Sequence, residues 1–348
     1  MFIVDSFNID LRYSNYWQLF IMPMLVDSGF DVELISNKRP IPVMHGMWGE
    51  IAHKNSQFDA IFETKFAGKL IKGSEFIFTD AYSTTAIHLK MISDIYDYDF
   101  KMYGIWNSGV FNPSSFLRNK YLGKPKTWIL NFERAMYHAY DQNWYPSEAA
   151  GQYHKKRLQG TKPNQIANVG VPIGYLKNAT YDISKKENLI IFPFDSKHAD
   201  QSIIMEIFGE IFSEYEFVVC SKQKHTRATY EELLSRAKVM LSLSVHDDNP
   251  IILYDAIKHG CIPAVPNIPF YANLLDPEFL YDPMVLKPPK LHFVRHSMLI
   301  EEKFKNYLDN YEKYIILLNS NIEKLEDTYY TDKFFLEKLH TINDRKHK

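Results

Sequence analysis

The chain has 348 residues, 46% of them hydrophobic and 24% charged, with 40 Lys and Arg against 42 Asp and Glu for a formal net charge of −2. That length supports one or two domains with proper cores, and the composition excludes a disordered chain, a collagen-like repeat, a coiled coil and an overall polycation. The two cysteines, Cys220 and Cys261, cannot by themselves make a disulfide framework or a zinc site.

The N-terminal part alternates short apolar runs with amphipathic stretches. Strands are predicted at Phe2-Ile3-Val4, Asp31 to Ser36, Asp59 to Phe62, Glu75 to Thr79, Lys101 to Trp106 and Thr127 to Asn131. Helices are predicted from Trp17 to Val26 and from Thr84 to Ile95, where Ile87, Met91 and Ile95 recur at helical spacing. A second series opens near Asn188, with strands at Leu189 to Phe194, Glu216 to Cys220, Val239 to Leu243 and Ile262 to Val265. Helices at Gln201 to Phe212, Tyr230 to Ala237 and Ile251 to Lys258 alternate with them, the last closed by Gly260 as its C′ glycine. A long helical region runs from about Met298 to Leu325. Strands alternating with helices of this length predict βαβ units and parallel sheets, hence an α/β fold of two Rossmann-like domains with an interdomain cleft. The polar segment between Lys177 and Asn188 has no apolar periodicity. The expected division is therefore a first domain over 1–177, a linker over 178–187, a second domain over 188–330 and a polar tail over 331–348.

Cys220 ends the apolar run Phe217-Val218-Val219 and reads as a small buried residue of a reducing compartment. The N-terminus carries no basic region ahead of its apolar residues, Asp5 interrupts it, and no run approaches 18 apolar residues. A cytoplasmic protein without membrane attachment is the expectation.

Dinucleotide and P-loop glycine fingerprints, the zinc-protease helix motif and the serine elbow are absent, and the 13 histidines lack metal-ligand spacing. The informative stretch runs from Leu241 to Pro266. A strand ends at Ser242-Leu243-Ser244, the polar loop His246-Asp247-Asp248-Asn249-Pro250 follows, and a helix starts at Ile251. In an open α/β sheet such a loop lies at the carboxyl end of a strand, where ligands bind, and the helix N-terminus suits a phosphate. Asp247 and Asp255 are eight apart, so loop and helix carboxylates can face one ligand. The alternative is that Asp247 or Asp248 only caps the helix.

This stretch resembles the C-terminal domain of GT-B glycosyltransferases, in particular the retaining group of glycosyltransferase family 4 that carries Glu, seven residues, Glu. Here Asp247 and Asp255 hold that spacing, and Ala256-Ile257 with Gly260-Cys261-Ile262-Pro263-Ala264-Val265 resembles the run that follows it in the family. Tyr230 to Leu234 with Ala237-Lys238-Val239 resembles the preceding helix and strand. In the first domain Glu133, Asp141 and Ser147-Glu148 resemble the family's Glu…Asp…Ser-Glu segment, and Val169 to Pro172 its strand entering the linker. The resemblance implies the GT-B fold and transfer of a hexose or pentose, with retention, from a UDP- or GDP-linked sugar without a required metal. It implies a donor-sugar contact for Asp247 and a ribose contact for Asp255. Lys197 and His198, in the Pro193–Asp200 segment that replaces the family's Gly-Arg…Lys-Gly, are the diphosphate contacts expected there, joined by Ser221, Lys222, Ser244, His246 and Asn249.

Acceptor contacts are expected from Arg12 and from loops after first-domain strands, at Asp80, Tyr82, Trp106 and Asn107. Asp80 reads either as a catalytic base or as an N-cap for the Thr84 helix. Trp106 reads either as a stacking platform or as a half-buried aromatic. Residues 1–180 hold 19 basic and 16 acidic residues, a net of +3, while residues 181–348 hold 21 and 26, a net of −5. Lys155, Lys156 and Arg157 belong to the first domain's basic clusters, with Tyr121, Trp128 and Tyr153 interleaved, a pattern that suits double-stranded DNA or a solvated helix face. The Lys-, Asn-, Ile- and Tyr-rich composition resembles large-phage proteins, so the leading acceptor expectation is 5-hydroxymethylpyrimidine in phage DNA, in the host cytoplasm. The alternatives are a surface glycan or small molecule, and a catalytically silent GT-B-like binding protein.

Overall fold

The computed structural model describes residues 1–4, 21–35, 47–113, 115, 118, 127–158, 166–171, 181–193, 209–210, 212–220, 226–244, 251–286, 290–328 and 332–344. They form two compact units, Met1–Gly174 with Tyr329–Lys348, and Tyr175–Thr328.

The first unit holds β1 (Phe2–Val4), β2 (Glu33–Ile35), α1 (Met47–Phe66), β3 (Glu75–Phe78), α2 (Thr84–Tyr96), β4 (Lys101–Ile105), α3 (Thr127–Ala139), β5 (Gln142–Tyr145), α4 (Glu148–Arg157) and β6 (Ile166–Asn168). Its sheet has the order β2-β1-β3-β4-β5-β6, and every pairing is parallel. Strands covered on both faces need near-continuous apolar runs, and Phe2-Ile3-Val4, Phe76-Ile77-Phe78 and Met102 to Ile105 supply them apart from Gly104. Gly104 has its own reason: a Cβ there would lie 2.7 Å from the ring of Tyr140, which covers the strand and donates its hydroxyl to the Ala81 carbonyl at 2.9 Å.

Two predicted strands prove to be helical. Asp59 to Phe62 lies within α1, and Thr127 to Asn131 opens α3, where Ile129, Glu133, Met136 and Tyr137 are buried at helical spacing. A four- or five-residue apolar run cannot by itself separate a strand from a buried helix turn. Conversely, β5 reads Gln-Asn-Trp-Tyr, too polar to stand out, yet three of its four residues are buried.

The second unit holds β7 (Glu187–Phe192), β8 (Glu216–Val219), α5 (Arg227–Arg236), β9 (Ala237–Leu241), α6 (Ile251–Lys258), β10 (Ile262–Pro266), α7 (Pro269–Leu274), β11 (Leu280–Tyr281), α8 (Lys290–Asp309) and α9 (Tyr311–Thr328). The sheet order is β11-β10-β9-β7-β8, again all parallel. Gly260 ends α6 with φ +72°, a conformation that favours glycine, and the ring of Tyr181 lies where a Cβ would be, 2.7 Å away. Lys186 closes α5 by donating to the carbonyls of Leu234 (3.0 Å) and Ala237 (2.7 Å), and burial lowers its pKa. The single long helix predicted near the C-terminus is two, broken at Asn310.

Residues 331–348, read as a polar tail, instead contribute α10 (Asp332–Asp344) to the first unit. Phe335 and Leu339 are buried, and the Phe335 ring meets Trp144 of β5 edge-on at 4.9 Å. Two apolar residues four apart are enough to seat one helix face, a signal that the surrounding Lys and Asp mask. Among the described residues, no helix is long and apolar enough to cross a membrane.

Candidate functional site

Because the first sheet is wholly parallel, the segments that follow its strands collect along one edge, the edge at which open α/β sheets bind ligands. After β3 the chain turns through Thr79 to Ser83. Thr79 N–H donates to the Val4 carbonyl (3.1 Å) and Ala81 N–H to Ile105 (2.8 Å), tying the turn to both neighbouring strands. The Tyr82 amide donates to Asp80 Oδ1 at 3.1 Å, while Asp80 Oδ2 lies 3.6 Å from Lys54 Nζ. Lys54 arrives from α1 and donates to the Tyr82 carbonyl, and its own carbonyl accepts Thr85 Oγ1 at 3.1 Å. The side chains of Lys54 and Asp80 are 9% and 21% exposed. Asp80 does not cap α2: Ser83 holds the N-cap position, with no side-chain cap bond.

The segment after β4 is stitched inward. Trp106, 2% exposed, donates Nε1–H to Asn143 Oδ1 at 2.7 Å, and its ring lies against His154 at 4.6 Å. Asn107 is likewise buried and donates to the Thr79 carbonyl at 2.7 Å. Trp106 and Asn107, expected as acceptor contacts, are therefore spent on the core and on joining the β3 and β4 turns. Beneath them Glu133 accepts the amides of Val110 and Phe111, the latter at 3.1 Å, and stands 3.0 Å from His154 Nε2. Gly109 has no room for a side chain: a Cβ would sit 2.7 Å from Glu133 Oε1.

The other residues of the Glu…Asp…Ser-Glu segment are structural as well. Asp141 accepts the Met102 amide at 2.8 Å at the start of β4, and burial raises its pKa against that bond. Ser147 caps α4 by accepting Ala150 N–H at 3.2 Å. Lys155, Lys156 and Arg157 form the exposed last turn of α4.

In the second unit Ser244 follows β9, its amide donating to Ser242 Oγ at 3.2 Å, and Tyr281 Oη donates to the Ser242 carbonyl. Asp255 lies in the second turn of α6 and is 2% exposed. Since β9 and β10 are parallel and α6 crosses between them, the start of α6 lies at the carboxyl edge of this sheet. Arg12, Lys197, His198, Ser221, Lys222, His246, Asp247 and Asn249 lie outside the described residues. Among the described residues, no group of three His, Cys, Asp or Glu side chains is placed to hold a metal.

Lys54 is the residue that sequence reasoning missed. Its signal was the spacing Lys54, Gln57, Ile61, which marks the inner face of α1 only once residues 47–66 are read as one helix.

No protein-family model matches the sequence, and no curated protein sequence matches it. Solved structures do. The sucrose-phosphate synthase of Thermosynechococcus elongatus superimposes with a TM-score of 0.67 at 12% identity, covering 99% of this chain and 98% of that one. The lipopolysaccharide outer core galactosyltransferase WaaB gives 0.59 at 12% identity over 98% of both chains. Anabaena HepE, solved with UDP and glucose, gives 0.59 at 10% identity, again over 98% of both. The neighbours are GT-B glycosyltransferases, and the chain has their fold, two parallel α/β domains, over nearly its whole length.

Proposed function

We propose that this protein is a glycosyltransferase that moves a sugar from a UDP- or GDP-linked donor to a hydroxyl acceptor. One observation carries the reading: the fold likeness to WaaB and HepE runs through 98% of each chain rather than through one domain. In this reading Asp255 holds the nucleotide ribose and Asp247 the donor sugar, while Ser221, Ser244, His246 and Asn249 bind diphosphate and sugar hydroxyls. The bond between the anomeric carbon and the diphosphate breaks, and a bond to the acceptor oxygen forms. Asp80 receives the acceptor's proton. The diphosphate departs with the electron pair, and its charge is stabilised by Lys197, His198, Lys222 and the amides at the start of α6. These residues need no metal for that step. Arg12 and Tyr82 contact the acceptor.

The test is a thermal-shift panel of UDP-, GDP- and CMP-sugars on wild type, Asp247→Ala and Asp255→Ala. A ligand that binds only the folded state raises the midpoint. A shift with one donor, lost in both variants, is expected; no shift with any donor favours a silent GT-B-like binding protein. The spacing of Asp247 and Asp255 argues for retention, read by NMR as the anomeric configuration of the product. An inverted product would overturn retention and leave Asp80 as the base.

The acceptor has two readings. Hydroxymethylpyrimidine in double-stranded phage DNA is favoured by the exposed basic turn Lys155-Lys156-Arg157. Replacing all three with Ala should then weaken DNA binding and flatten its salt dependence. A surface glycan or small molecule is favoured by the Lys54–Asp80 pair, which presents no net charge at the β3 edge.

A further inference from the structure

The geometry points to Lys54 as a positioning residue that fixes Asp80 so that one carboxylate oxygen is kept for the acceptor hydroxyl, an inference that rests on the glycosyltransferase reading above. An ammonium is costly to bury unless it is paired, and Lys54 is nearly closed to water. What it holds is a single turn at two points. It donates to the Tyr82 carbonyl, and its charge lies 3.6 Å from Asp80 Oδ2. That separation is an ion pair but exceeds a hydrogen bond. Asp80 Oδ1 is occupied by the Tyr82 amide. Among the described residues Oδ2 accepts no hydrogen bond, and the side chain is 21% exposed. The two oxygens are thus differentiated: Oδ1 locks the rotamer through the turn, and Oδ2, without a hydrogen bond among the described residues, lies beside a fixed positive charge. The Thr85 bond to the Lys54 carbonyl ties α1 to the start of α2, so the ammonium is placed by two packed helices rather than by a loop.

A positioned proton acceptor is worth roughly 10²–10⁴-fold in rate, and loss of its alignment about 10²-fold. The experiment uses whichever of UDP-glucose, UDP-galactose, UDP-N-acetylglucosamine and GDP-mannose stabilises the wild type, and measures release of the nucleoside diphosphate. Lys54→Met should lower kcat by about tenfold or more while donor KM stays within about twofold, and Lys54→Arg should recover most of that loss. In a double-mutant cycle, Lys54→Met with Asp80→Asn should lose no more than Asp80→Asn alone, the signature of a residue whose effect on the rate passes through that carboxylate. A Lys54→Met enzyme with wild-type kcat, or losses that multiply in the double variant, would overturn the inference and leave the glycosyltransferase reading standing. If Lys54→Met does not melt cooperatively, Lys54→Gln carries the same cycle. A wild type that neither binds nor turns over any of the four donors would overturn that reading, and this inference with it.

Discussion

Glu133 and His154 meet inside the first unit, Nε2 of the imidazole 3.0 Å from Oε1 of the carboxylate, with side chains 0% and 4% exposed. The same carboxylate accepts the amides of Val110 and Phe111, so one buried side chain fastens the segment after β4 to helix α3 and lies against His154 of α4. Removing one member of such a set strands the others without a partner. Glu133→Ala should cost about 3–5 kcal/mol. Urea denaturation checks it, and a loss under 1 kcal/mol would mean that the cluster is replaceable.

Two glycines are closed to any side chain by an aromatic ring. A Cβ on Gly104 meets the Tyr140 ring at 2.7–2.8 Å, and one on Gly260 meets the Tyr181 ring at 2.7 Å. Overpacking a core costs about 1–3 kcal/mol. Gly104→Ala should lose that much and recover part of it when Tyr140 is shortened to Leu. Gly260→Ala should lose more, because its φ of +72° adds backbone strain of about 1–2 kcal/mol. Equal melting points for the two variants would count against the strain argument.

Burial raises the pKa of Asp141 above its unfolded value, although the Met102 amide and nearby Lys101 oppose the rise. A carboxyl raised in this way adds stability that is fully present below the unfolded value and lost as pH climbs through the folded one. Asp141→Asn keeps an acceptor for Met102 and sheds the charge, so it should melt higher than wild type at pH 7. The advantage should shrink to nothing near pH 3. Melting curves across that range decide it, and an Asn variant less stable at pH 7 would refute it.

Cys220 and Cys261 are both buried, and burial pushes their thiols up to about 12 and about 11. Thiolate is the reactive form. The native protein at pH 8 should therefore resist a thiol reagent that labels both cysteines in guanidinium. Rapid labelling of either one under native conditions would contradict this burial.

Much of this architecture is legible in the sequence where apolar runs are long or periodic. Phe76-Ile77-Phe78, Leu189 to Phe192 and the Ile251 helix with Gly260 behind it all stand where patterning puts them. Short runs mislead: Asp59 to Phe62 is part of α1, and that misreading hid Lys54, whose meaning depends on helical phase. Asp80 was legible as a carboxylate just past a strand, but the division of labour between its two oxygens was not, since it depends on a cation 26 residues earlier in the chain. Trp106 misled because an aromatic at a strand end looks the same whether it serves a ligand or Asn143.

Helix α10 has a temporal consequence. Its Phe335 rests on Trp144 of β5, and His340 lies 5.4 Å from the Phe30 ring, yet the whole second unit is translated between these partners. On the ribosome the first sheet emerges early and must wait, with Trp144 uncovered, until the second unit has left the exit tunnel. The second unit is built entirely of residues made before Tyr329. The part of the chain that is made first is the last to be finished, and a released chain cut short near residue 330 would carry every residue of the second unit beside an unsealed first one.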